Sequence, residues 1–68
     1  MNGKEYLVDL SSWPDERFNK LWELLPHYDA YKIVPVYGVQ KTFTVLWCED
    51  KPMEEVLGIP SGLIRPLP

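Results

Sequence analysis

The chain has 68 residues, 46% of them hydrophobic and 25% charged, with a formal net charge of −3. At this length it is one domain with a marginal core, burying only about 60% of its unfolded surface, and its composition lies outside the polar, highly charged range of disordered chains. The negative balance argues against the basic face that a phosphate-backbone binder needs, and a single cysteine, Cys48, rules out an internal disulfide framework.

In chain order, "KEYLVDL" comes first. Tyr6, Val8 and Leu10 alternate with Glu5 and Asp9, which predicts a strand over Lys4 to Leu10 with one buried side. Leu7 interrupts the polar side and is expected to touch something else. The start of the chain carries no apolar leader and no apolar run approaches a membrane span, so the expected compartment is the cytoplasm, without membrane contact.

"SSWPDERFNKLWELLP" carries the strongest helical pattern. Phe18, Leu21, Trp22 and Leu25 fall at i, i+3, i+4 and i+7, one apolar stripe, predicting a helix over Trp13 to Leu25. Ser12 is the expected N-cap with Asp15 completing a capping box, Pro14 sits in the first turn, and Pro26 stops the helix.

"AYKIVPVY" predicts a second strand, Ala30 to Tyr37, with Tyr31, Ile33 and Tyr37 on one side and Ala30, Val34 and Val36 on the other. Pro35 cannot donate to a ladder, so this strand should lie at an edge. Gly38 turns the chain into a third strand, "QKTFTVLWCE", in which Phe43, Val45 and Trp47 face one way and Thr42, Thr44, Leu46 and Cys48 the other. A short second helix follows in "EDKPMEEVLG", with Asp50 as cap, Pro52 in its first turn and Gly58 as the left-handed C-cap.

These elements predict an α+β fold: a small β-α-β-β single domain over residues 1–58. A three-stranded mixed sheet in the order 1-3-2 is covered by one amphipathic helix. The short second helix and an extended, proline-rich C-terminal tail over residues 59–68 are expected to pack on the domain or on a partner.

The chemistry-bearing residues form no catalytic or metal constellation. Cys48 lies beside Glu49 and Asp50, which would raise rather than lower a thiol pKa, and His27 is the single histidine. "EDKPMEE" lacks the alternating ligands and central glycine of a calcium loop. No enzyme activity, cofactor or metal is expected. "RPLP" at Arg65 to Pro68 is similar to the core of the polyproline ligands read by SH3 domains, without their second x-x-Pro repeat. "SSWP" resembles the Ser-x-Trp-Pro of the small MbtH-like partners of peptide synthetases, without the later Pro-x-Gly-Trp.

More apolar residues are present than one helix-covered sheet face can use. The chain is therefore expected to be a protein-binding module, an inhibitor or regulatory accessory subunit of a larger protein, of the kind that phages and mobile elements encode. Tyr37, Leu46, Met53, Leu63, Ile64, Arg65 and Leu67 are the expected contacts. The alternative is a homodimer paired through an edge strand. A third reading, a single-stranded nucleic-acid binder flanked by Lys32, Lys41 and Lys51, runs against the net charge.

Overall fold

The computed structural model describes residues 3–68; Met1 and Asn2 lie outside the described residues. β1 (Lys4–Asp9) leads through a turn into α1 (Asp15–Leu24) and a single 3-10 turn, Leu25–His27. β2 (Ala30–Pro35) and β3 (Thr42–Trp47) form a hairpin, followed by α2 (Met53–Leu57), a second 3-10 turn at Ser61–Leu63, and β4 (Ile64–Pro66).

The sheet has four strands in the order β2-β3-β1-β4, and every neighbouring pair is antiparallel. This corrects the expected three-stranded mixed sheet of order 1-3-2. β1 and β2 do point the same way, but β3 lies between them, so no parallel neighbours exist.

The fourth strand comes from the proline-rich segment expected to be an extended tail. An edge strand turns only every other N–H toward its neighbour. Here the inward donor is Leu67, whose N–H bonds to the Glu5 carbonyl at 2.8 Å, so Pro66 and Pro68 beside it need none. Pro35 is tolerated at the opposite edge for the same reason, the inward N–H there being that of Val36, bonded to Thr42 O at 2.9 Å.

Both helices start two residues later than their capping patterns predict. The residue before a proline is pushed out of the helical region, so Trp13 and Lys51 stay outside. Pro14 (ψ 149) and Pro52 (ψ 150) are the N-caps, with no side-chain cap at either helix. Ser12 and Asp50 are therefore not caps. Gly58, at φ 69, closes α2 as expected.

One core holds the molecule together. Val8, Phe43, Val45 and Trp47 from the sheet meet Leu21 and Leu25 from the helical layer, with Trp13 and Leu10 closing one end. Phe18 and Trp22 stack at 5.5 Å between centroids, and Trp22 meets Phe43 edge-on at 5.2 Å. Met53 of α2 and Ile59 beyond it, at 2% and 1% exposure, join this same cluster. Among the described residues, none covers the other face of the sheet.

Candidate docking face

The uncovered face is built from the alternate residues of each strand. Leu7 of β1 lies opposite Thr44 of β3 and Arg65 of β4, and Glu5 lies opposite Leu46. β2 adds Tyr31 opposite Leu46 and Val34 opposite Thr44.

That last pairing depends on a bulge. Between Tyr31 and Val34 stand two residues, Lys32 and Ile33, where β3 has Val45 alone. Lys32 takes up the extra residue at φ 52, in the left-handed region. The bulge turns Ile33 to the core and puts Tyr31 and Val34 side by side on the open face. The expected grouping of Tyr31 with Ile33 is corrected accordingly: strict alternation fails where an extra residue is inserted.

Large apolar side chains remain exposed here, namely Tyr31, Val34, Val39 and Leu67, together with Tyr37 at the tip of the β2–β3 hairpin. On the helical layer the corresponding residue is Leu24. The Tyr31 hydroxyl donates to Asp29 at 3.3 Å, and the Asp29 charge pushes the phenol pKa upward.

Two depressions mark the ends of the face. One, of about 270 Å³, has Leu7, Asp9 and Thr42 at its base, Val36 and Val39 on the hairpin side, and Leu63 and Arg65 on the other. Asp9 is anchored there: it accepts the Ser11 N–H at 3.0 Å and the Thr42 hydroxyl at 3.4 Å. Hydrogen bonds from the Ser11 side chain and backbone, with help from Thr42 and the nearby Arg65 charge, hold its carboxyl below the usual Asp value. The second depression, about 330 Å³, lies between Gly3, Glu5, Leu46, Pro66 and Leu67.

The expected contact residues divide. Leu46, Arg65 and Leu67 lie on or beside the open face, Leu63 lines the first groove, and Tyr37 is wholly exposed next to it. Ile64 stands opposite Val8 and turns to the core, and Met53 is buried in it. Arg65 and Pro66 belong to a paired strand rather than a polyproline helix.

Sequence reasoning missed Tyr31, Val39 and Asp9, and placed Val34 on this side of β2 without naming it a contact. The odd apolar Leu7 and the surplus of apolar residues were the visible signals of a second apolar face. Lys41, expected among possible nucleic-acid contacts, is engaged instead. Its ammonium donates to the Trp13 carbonyl at 2.7 Å and pairs with Asp15 at 2.7 Å.

Among the described residues, no helix is long and apolar enough to cross a membrane. No protein-family model, curated protein or solved structure matches the chain.

Proposed function

We propose that this chain is a non-enzymatic protein-binding module, an inhibitor or regulatory accessory subunit of a larger cytoplasmic protein, and that it docks through the open face of its sheet. The observation that carries this reading is the exposure of Tyr31, Val34, Tyr37, Val39 and Leu67 on or beside one uncovered face, while the buried apolar residues form a single core and Leu24 is the large exposed apolar residue of the helical layer. Aromatic and aliphatic anchors with a polar rim are what protein partners desolvate on binding.

The edges of the sheet are poorer candidates. β4 already occupies the free side of β1, so a homodimer joined through β1 requires β4 to leave. The outer edges carry devices that discourage strand pairing: the Lys32 bulge and Pro35 on β2, and Arg65, Pro66 and Pro68 at β4.

Capture of partners from host lysate tests the reading, comparing the wild-type chain with Val34→Lys and with Leu24→Lys on the opposite layer. A lysine within a desolvated apolar contact should weaken recovery by about tenfold or more, while Leu24→Lys should recover the partner normally. Equal recovery by wild type and Val34→Lys would remove the open face from the account.

A further inference from the structure

The pairing of β4 is the shortest in the sheet, three residue pairs with β1 against six between β1 and β3. Ile64 is half-buried, and Arg65, Pro66, Leu67 and Pro68 are exposed. Just ahead of the strand lie Pro60, Ser61 and Gly62, all exposed, and a Cβ built at Gly62 would meet nothing within 4 Å. Immediately before them Ile59 is fixed in the core at 1% exposure. A loose joint thus separates a firm anchor from a short strand, and the strand can lift at Pro60–Gly62 while the core stays closed.

The edge beneath β4 differs from the edge that β4 presents. The outer strands are guarded against pairing, β4 by Arg65, Pro66 and Pro68 and β2 by Pro35 and the Lys32 bulge. β1 has no such guard: "KEYLVD" holds no proline and no residue at positive φ, and its register against β3 is unbroken. Once bared, it is a template for another strand. The segment that fits it is the one already seated there. That segment aims the Leu67 N–H at the Glu5 carbonyl, 2.8 Å away, and sets Ile64 against the core opposite Val8.

We infer that β4 is an exchangeable strap: it leaves β1 as a unit, hinged at Pro60–Gly62, and the edge it bares takes the same segment from a second copy. Reciprocal exchange joins two chains through a contact that each already makes within itself. In a single chain the strap is held at an effective concentration on the order of millimolar, so the closed form prevails when dilute and exchange sets in as the protein is concentrated. The strap works at the edge of the sheet, independently of the open face.

Amide hydrogen exchange in the full chain, followed by NMR, tests the release. Strand alternation turns the Arg65 and Leu67 N–H groups inward. These two should exchange together, with one denaturant dependence, about tenfold or more faster than Leu10, whose N–H bonds to the Lys41 carbonyl at 2.9 Å. Unlabelled peptide of residues 60–68 tests the exchange. At about millimolar concentration it should displace the chain's own strap and move the Leu67 amide to the shift of an unstructured segment. A disulfide between Leu7→Cys and Arg65→Cys, which lie opposite each other on the two strands, made together with Cys48→Ala, should hold the Leu67 amide in place in both experiments.

Leu67 exchanging as slowly as Leu10 would mean that β4 opens only when the whole domain unfolds, and overturns the strap. So does protection that declines stepwise toward the C-terminus, which is fraying and not release of a unit. A peptide that leaves the Leu67 amide unmoved at about ten times the millimolar level overturns the exchange. Capture through Val34 tests the open face separately and is unaffected by either result.

Discussion

Single residues decide how closely the sheet can be assembled. Gly3 is one such position: a Cβ built there would lie 2.6 Å from the Cys48 sulfur and 2.9 Å from Leu46 Cδ1. Neither neighbour is the loose end of a long side chain, so something must shift. Gly3→Ala should destabilise the fold by about 1–3 kcal/mol, the usual cost of overpacking, and Cys48→Ala should recover part of that loss. Denaturant melts of the two single variants and the double variant measure it; additive losses would mean the two positions do not touch. Asp9 makes a pH prediction. Its folded pKa is depressed by the Ser11 and Thr42 hydrogen bonds, so its contribution is present above the unfolded value and disappears as pH falls through the folded one. Stability should therefore hold level from neutral pH down to about pH 4 as far as Asp9 is concerned, and then drop. Asp9→Asn should flatten that acid-side drop in a series of melts, and parallel curves for the two proteins would show that Asp9 takes no part in it.

Among the elements, the β2–β3 hairpin is tied to the start of α1 through Lys41. The residue sits at φ 52, a conformation lysine rarely adopts, and its side chain, 18% exposed, spans to the Trp13 carbonyl and to Asp15. The two bonds are unequal. Asp15 is 84% exposed, so its ion pair contributes at most about 1 kcal/mol, whereas the partly buried bond to a carbonyl leaves an unsatisfied group behind when lost. Lys41→Met should cost about 1–3 kcal/mol and Asp15→Asn less than about 1 kcal/mol, measured by chemical denaturation. Equal losses would assign the tie to the ion pair.

The C-terminal segment is likewise structural. Truncation after Gly58 removes fully buried Ile59 and bares the β1 edge, and Ile59→Ala alone should cost about 2–5 kcal/mol, a large share of the stability of so small a domain. A 1–62 fragment keeps Ile59 and should remain folded, though less stable; circular dichroism melts separate the cases. A cooperative, native-like melt of the 1–58 fragment would show that the core closes without this segment.

Much of the element pattern was legible because local chemistry and burial agree. The 3.6-residue stripe of Phe18, Leu21, Trp22 and Leu25 faces the sheet, and Phe43, Val45 and Trp47 alternate into the same core. What escaped were features that depend on long-range pairing. Whether Pro66 can lie in a strand depends on which way its neighbour's N–H points, and that is set by β1, some sixty residues away. The Lys32 bulge, set by pairing with β3, moved Tyr31 from the side of Ile33 to that of Val34.

For the molecule as a whole, the distribution of apolar surface matters most. α1, α2 and Ile59 all converge on one side of the sheet, and the other side carries aliphatic and aromatic residues with Asp9 and Arg65 and is uncovered among the described residues. In sequence, the candidate site was visible only in part. Leu46, Arg65 and Leu67 were singled out by residue type, whereas Met53 was drawn into the core by α2, and Tyr31 needed the bulge to join Val34 on the open face. The polar edges, with their prolines and lysine, leave the face as the surface where association removes most apolar area from water.

The central claim is that this face, and not the helical layer, meets a partner. A photo-crosslinking amino acid placed in turn at Val34 and at Leu24 tests it directly, because the two positions have nearly the same exposure, 55% and 52%, on opposite sides of the molecule. In lysate from the host, the account predicts a discrete crosslinked product from position 34 and none from position 24. A product from position 24 alone would place the interface on the helices and contradict the account.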